Sequence, residues 1–358
     1  MNRYNRHIIL SEVGQTGQDK LSKAKVLVVG AGGLGCPLLQ YLAAAGIGTL
    51  GIVDFDVVEE SNLQRQVLFG TSSLGINKAI AAKKRLEDLN PTITIEAISE
   101  RLNVRNVNTI FQKFDIIVDG TDNFATRYLI NDFAILCDKP VVYGAIYKFE
   151  GQVAVFNYNQ GPSYRCLFPN APDSTHSINC SEIGVLGVLP GIIGTMMANE
   201  VLKIILEFDN VLYGKLLCYS SKTAETTILK INKDQSNFDK LLNRNEDSLN
   251  SYEEDYCSRN VKEISLKDVR FNDKVQFIDV REIHEQPKVE LGNCIQIPLT
   301  TLEQNIYKMD LTKTLVVFCQ TGVRSLKAVE ILHKRKVMNC FSLKEGIYTL
   351  IEELKIKA

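Results

Sequence analysis

The 358 residues suffice for two globular domains, each with a core of its own. Apolar residues make up 45% and charged residues 23%, the balance of an ordinary folded chain. Lys+Arg of 41 against Asp+Glu of 42 leave a net charge of −1, so bulk charge gives no basis for binding nucleic acid or a membrane surface.

Met1–Arg6 is polar with no apolar stretch behind it, so no targeting signal is read there and a cytoplasmic location is expected. Lys25–Val29 is β-branched and apolar, then come glycines and a helical stretch, Pro37–Ala45. Leu50–Val53 predicts a second strand, Lys78–Leu89 a helix and Thr92–Ala97 a third strand. Asp115–Asp119 and Pro140–Tyr143 read as further buried strands, separated by the helical stretch Phe124–Cys137. This rhythm predicts an α/β fold, a doubly wound Rossmann-like sheet that is mostly parallel. Alternating patterns at Gln152–Asn157 and Lys215–Ser220 predict antiparallel additions. The apolar run Val185–Ala198 is broken by Gly187, Pro190, Gly191 and Gly194; a buried segment is expected there rather than a membrane span.

From about Asn232 to Asn260 the chain is rich in Asn, Asp, Glu and Ser, which predicts a solvated linker. Periodicity resumes at Ile264, with strands at Val275–Val280 and Leu315–Cys319 and a helix expected after each. The expected organisation is a first domain over 1–235, a polar linker over 236–260 and a smaller α/β domain over 261–358. Nine cysteines, odd in number and irregularly spaced, point to reduced thiols rather than a disulfide framework.

Gly30-Ala31-Gly32-Gly33-Leu34-Gly35 fits the phosphate-loop pattern between a strand and a helix, and Asp54 at the end of the next strand is placed to accept a ribose hydroxyl. An NAD-dependent oxidoreductase would share these features. Ser61-Asn62-Leu63-Gln64-Arg65-Gln66 adds a fixed cation, and Lys78 opens the following helix. Hydride transfer develops no phosphate charge, whereas adenylyl transfer releases pyrophosphate and gains from Arg and Lys aimed at its oxygens. Asp122 follows the strand at Ile116–Asp119 and suits a Mg²⁺ that bridges phosphates. Singly, Arg65 reads as a surface ion pair and Lys78 as a solvated helix residue; together they favour a nucleotide site.

With these residues placed, the sequence resembles the MoeB/ThiF/HesA adenylyltransferases, relatives of the ubiquitin-activating enzymes. The likeness covers Arg3 to about Ile231, including Arg3-Tyr4-Asn5-Arg6, Asp54-Phe55-Asp56, Thr121-Asp122-Asn123, Glu150-Gly151-Gln152, Tyr164–Pro169 and Gly184–Gly187. It implies that Gly32, Asp54, Asn62, Arg65, Lys78 and Asp122 contact ATP or its Mg²⁺, with Gly30, Gly33, Gly35, Ser61 and Asn123 in the wider binding set. Arg6 would reach the phosphates of a neighbouring subunit, implying a homodimer. The implied partner is a small ubiquitin-like sulfur-carrier protein ending in Gly-Gly. Cys180 matches a cysteine that in some members takes the activated carrier covalently; a half-buried, inert thiol is the competing reading. The family's zinc site uses two C-x-x-C pairs, but here the first reads Ser163-Tyr164-Arg165-Cys166 and no second pair follows Ile231. Cys218 and Cys257 lie far from the pattern, so structural zinc is expected to be absent.

Cys319-Gln320-Thr321-Gly322-Val323-Arg324 follows a buried strand as a tight loop entering a helix, where inward backbone N–H groups stabilise a thiolate or persulfide. With Asp279-Val280-Arg281-Glu282 and Gly292–Pro298 upstream, Glu263 to Glu353 resembles the rhodanese family. Cys319 would then carry a persulfide supplied by a donor such as a cysteine desulfurase or thiosulfate. Gly322 and Arg324 would support its loop, and Asp279 and Arg281 would be structural. Cys294 and Cys340 are read as packing residues and His284 as a solvated one. The expected enzyme adenylates its carrier and delivers sulfur to it. The alternatives are a modifier activator with an inactive rhodanese domain, the oxidoreductase, and a non-catalytic scaffold or persulfide sensor.

Overall fold

The computed structural model describes residues 3–170, 184–243 and 263–357, apart from 270, 290 and 321. It forms two compact units, Met1–Asn250 and Ser251–Ala358.

The first unit is built on eight strands. They are β1 (Lys25–Val29), β2 (Thr49–Val53), β3 (Thr94–Ile98), β4 (Ile116–Asp119), β5 (Val141–Tyr147), β6 (Glu150–Phe156), β7 (Lys215–Ser220) and β8 (Thr226–Lys230). Their order is β3-β2-β1-β4-β5-β6-β7-β8. The first five pair in parallel and the last three join antiparallel. In β1, Val26 and Val28 face one core and Leu27 and Val29 the other, which is why a strand buried on both faces reads as an unbroken apolar run. The chain passes from one side of β1 to the other between β3 and β4, making the C-terminal ends of β1 and β4 the switch point where such sheets bind ligands.

Helices α1 (Asn5–Ile8), α2 (Gly14–Lys23), α3 (Gly35–Ala45), α4 (Lys78–Leu89), α5 (Val107–Phe111), α6 (Phe124–Leu136) and α7 (Tyr164–Leu167) precede a long helix α8 (Val188–Ile205). Side chains of α3, α4 and α8 build one core, and those of α5 and α6 the other. Helix α8 is long and apolar enough to cross a membrane by length and composition, yet Leu189, Ile193, Met197 and Val201 are fully buried in the protein core. The run expected only as a buried segment is thus a continuous core helix. Its Gly194 is needed because a side chain there would strike the Leu34 carbonyl, and this close approach packs α8 onto the glycine loop.

Two features depart from the sequence expectation. Strand β8 is exposed along its whole length, so it carries no burial pattern to read. The polar stretch expected as linker begins with helix α9 (Gln235–Leu242), capped by Asp234 and held to the first unit by buried Phe238 and Leu241 packing beside Ile135 and Cys166. Two apolar residues one turn apart suffice to dock it.

The second unit has five parallel strands, β9 (Glu263–Ile264), β10 (Val275–Asp279), β11 (Cys294–Gln296), β12 (Thr314–Phe318) and β13 (Cys340–Leu343), in the order β11-β10-β12-β13-β9. Helix α10 (Val323–Lys334) packs on one face and α11 (Ile347–Lys357) on the other. A helix follows β12 as expected. Among the described residues none follows β10, whose chain turns through Arg281–Glu285 on its way to β11.

Candidate active sites

The C-terminal ends of β1, β2 and β4 meet around the glycine loop. Gly30 N–H donates to Val53 O (2.8 Å) and Gly120 N–H to Val29 O (3.0 Å), stitching the three strand ends together. A side chain at Gly35 would collide with the Gly30 carbonyl, so the turn tolerates only glycine there. Helix α3 starts without a side-chain cap, and its Cys36 N–H turns back to Gly32 O (2.9 Å), so the helix N-terminus follows directly on the glycine loop.

Asp54 is buried, and its two carboxylate oxygens accept from Ala31 N–H (2.8 Å) and Asp56 N–H (2.9 Å). Burial pushes its carboxyl above the ordinary value, against the pull of Lys78. Lys78 is itself only 7% exposed, and its Nζ lies 3.1 Å from Asp56 Oδ2. Taken singly, Lys78 reads as a solvated helix residue, but the start of α4 turns its ammonium into the sheet end. Asn77 caps α4 and donates its amide to the carbonyls of Asp54 and Asp56.

Arg65 is half-buried, with Nη1 donating to Ser61 O (2.9 Å) and its Cγ lying over Gly33. Asn62 is buried and ties the turn by accepting from Glu59 N–H and donating to Ser61 Oγ, while Ser61 itself is exposed. Asp122 is exposed beyond β4. Asn123 spends its carbonyl oxygen capping α6 through Thr126 N–H (2.9 Å).

One residue here was not anticipated. Arg127 is buried and donates from Nη2 to Thr121 O (2.9 Å), holding the loop that carries Asp122. It faces Asp119, whose buried carboxyl is pushed up by desolvation and, to a lesser degree, by the charge of Asp122. An Arg inside an otherwise apolar helix face, Ala125–Ile130, was the available signal.

In the second unit Cys319 is buried at the end of β12, and Gly322 N–H donates to its Sγ at 3.1 Å. Gly322 adopts φ 93°, a left-handed conformation that glycine alone enters without strain. Arg324 forms a two-armed ion pair with Glu285 (2.5 and 2.8 Å) that ties the loop to the turn after β10. The hydrogen bonds from Arg324 hold the Glu285 carboxyl at about 2. Glu285 was missed because its partner lies 39 residues away, although it stands three residues after Glu282 in the quoted motif. Asp279 and Arg281 form a buried ion pair (2.7 Å). Cys294 and Cys340 belong to the packing of this unit, and burial pushes the Cys294 thiol up to about 12.

Comparison with known proteins bears directly on these two loops. The ThiF family model matches residues 4–240 and the rhodanese-like domain model residues 265–353. The chain belongs to the ThiF family. It is 38% identical over 371 residues to the probable adenylyltransferase/sulfurtransferase MoeZ of Mycobacterium tuberculosis, covering 99% of this chain and 93% of that one. It is 49% identical over 238 residues to the sulfur carrier protein adenylyltransferase of Thermus thermophilus, covering 65% of this chain and 88% of that one. Among solved structures, Escherichia coli MccB with ATP shares the fold at 23% identity and a TM-score of 0.58, over 65% of this chain and 72% of that one. The enzyme is therefore an adenylyltransferase joined to a sulfurtransferase domain, and the oxidoreductase reading is set aside. An adenylyltransferase of this family draws on ATP.

Among the described residues, Arg6 and Cys166 stand apart from the nucleotide loop. Arg6 lies exposed in α1, just after Tyr4, whose ring packs against Gly46 beyond the far end of α3. Helix α3 starts at the loop and runs 11 residues, about 16 Å, so Arg6 sits at the opposite end of its own sheet. Cys180 lies outside the described residues, as does Cys257. Cys166 is half-buried; its sulfur receives hydrogen bonds from Ser163 N–H (3.4 Å) and Asp234 N–H (3.3 Å) and is covered by α9. Among the described residues no three His, Cys, Asp or Glu side chains converge as metal ligands.

Proposed function

We propose that this chain adenylates the C-terminal glycine carboxylate of a small ubiquitin-like sulfur-carrier protein ending in Gly-Gly, then converts that carboxylate to a thiocarboxylate. In the first step a carboxylate oxygen attacks the α-phosphorus of ATP, the bond to pyrophosphate breaks, and an acyl-adenylate forms. The observation that carries this reading is Lys78, a cation buried at the end of β2 between Asp54 and Asp56. Burying a charge is costly unless it is paired, and here it is held ready beside the glycine loop at the start of α3. Arg65 supplies the second cation and Asp54 the ribose contact. Asp122 would hold Mg²⁺, which neutralises phosphate charge; its exposure on a loop fixed by Arg127 suits a metal bound through one carboxylate plus phosphates. Arg6, remote from its own loop, serves a neighbouring copy, so the working enzyme is a homodimer.

In the second step the Cys319 thiolate attacks a sulfane sulfur, from a cysteine desulfurase persulfide or from thiosulfate with sulfite leaving, and becomes a persulfide. Its terminal sulfur attacks the acyl carbon and AMP departs. A thiol then attacks the Cys319 sulfur of the acyl disulfide, the S–S bond breaks with the thiocarboxylate as leaving group, and a second thiol reduces the mixed disulfide left on Cys319, returning its thiolate. In the route through Cys180, its thiolate takes the acyl group first and expels AMP, and the persulfide sulfur then displaces Cys180 from the thioester.

Labelled pyrophosphate should exchange into ATP only when the carrier is present. Exchange without any carrier, or none with any Gly-Gly carrier, contradicts the proposal. Elemental analysis should find far less than one zinc per chain, and a chelator should leave the unfolding temperature of the full chain unchanged, because Cys166 is satisfied by hydrogen bonds. Stoichiometric zinc that resists chelation would show that residues beyond this set bind it.

A further inference from the structure

Beneath Cys319 lie two hydroxyls that the sulfur-transfer chemistry above does not use. Ser325, on the first turn of α10, and Ser342, on β13, are both fully buried. Ser342 Oγ donates to Ser325 Oγ (2.9 Å), and Ser325 Oγ donates to Gly322 O (2.7 Å) while standing 3.8 Å from Cys319 Sγ. Gly322 in turn points its N–H at the sulfur. A hydroxyl inside a parallel sheet is unfavourable unless bonded, and a methyl-bearing or aliphatic residue would fill the Ser342 position more cheaply. The chain Ser342, Ser325, Gly322 ends at one atom, the Cys319 sulfur.

We propose that Ser342 is a positioning residue for the persulfide site, acting through Ser325. The hydroxyl of Ser325 has one proton and two acceptors within reach, the Gly322 carbonyl and the sulfur. With a neutral thiol the proton rests on the carbonyl and fixes the loop. With an anionic thiolate or persulfide it turns to the sulfur, while Ser342 keeps the Ser325 oxygen bonded and polarises its O–H. Only hydrogen-bond direction changes; no covalent bond forms or breaks. The proposal rests on Cys319 being the sulfur-carrying group.

The charged groups on the elements packed about this loop include Asp279 at the end of β10, paired with Arg281, Arg324 paired with Glu285, and Lys344, whose carbonyl lies beside Gly322. From α11, Ile347 contributes only its N–H, to Cys319 O (3.1 Å). Changing Ser342 leaves all of these in place, so a shift in the thiol's titration reports the hydroxyl pair.

The test is the rate of iodoacetamide alkylation at Cys319 against pH in the full chain, read peptide by peptide by mass spectrometry. Ser325→Ala should raise the midpoint by about one pH unit, the loss of one hydrogen bond to an anion. Ser342→Ala should raise it by about half as much, with wild-type circular dichroism. Should Ser342→Ala fail to fold, Ser342→Cys, a weaker donor of similar volume, should give the same direction of shift. A folded Ser342 variant with the wild-type midpoint overturns the proposal. Persulfide loading of wild-type enzyme from thiosulfate, followed by intact mass, separates the underlying reading: failure to load at Cys319 refutes the sulfur-carrying assignment, whereas an unshifted midpoint refutes the role of Ser342.

Discussion

Arg65→Ala should lower carrier-dependent pyrophosphate exchange by about 100-fold or more while leaving the fold intact. Removing one preorganised donor from a developing anion typically costs about 10²–10³ in rate. Arg65 meets that description, because its guanidinium is tethered to Ser61 O and its stem lies over Gly33 before any substrate arrives. Little of its orientation has to be organised when phosphate charge develops. It belongs to neither hydrophobic core, so its loss should move stability by only about 0.5 kcal/mol. Lys78→Ala is a less clean experiment. It would leave the buried Asp54 carboxylate without its compensating charge, and lost activity would be mixed with lost stability. Arg65→Lys should recover part of the rate, since charge returns without the planar fork. A folded Arg65→Ala variant with normal exchange removes this residue from the site.

Strands β1, β2 and β4 of the first unit were legible because they are buried on both faces and read as unbroken apolar runs. The Lys78–Leu89 helix was legible because Asn77 caps it and its apolar positions recur on one face. Helix α8 was harder to see, since the glycines that let it approach the loop at Leu34 also look like breaks in a sequence. Helix α9 hid inside a polar stretch because only Phe238 and Leu241 anchor it. In the sites, residue types were readable but pairings were not. Taken singly Lys78 reads as solvated, and only the fold shows Asp56 paired with it; the helix cap that Asn123 makes was likewise not part of its reading. The Glu285–Arg324 tie and the Ser325–Ser342 pair join segments far apart in sequence, where no local pattern could announce them.

The central claim is that one chain both activates the carrier and supplies its sulfur through Cys319. Adenylation needs a carboxylate, ATP and cations but no thiol, whereas sulfur delivery needs a held sulfane sulfur. In the second unit, Cys319 is the thiol with a backbone N–H aimed at it from a tight loop, among the described residues. Cys319→Ser should therefore keep pyrophosphate exchange at the wild-type rate and lose sulfur delivery altogether. Cys180→Ser should also keep adenylation, and should accumulate acyl-adenylate if covalent capture occurs there. The direct measurement is mass spectrometry of the carrier after incubation with enzyme, ATP, Mg²⁺ and a protein persulfide donor. Wild-type enzyme should shift the carrier from carboxylate to thiocarboxylate, and Cys319→Ser should leave it a carboxylate or acyl-adenylate; thiocarboxylate formed by Cys319→Ser at the wild-type rate would contradict the account.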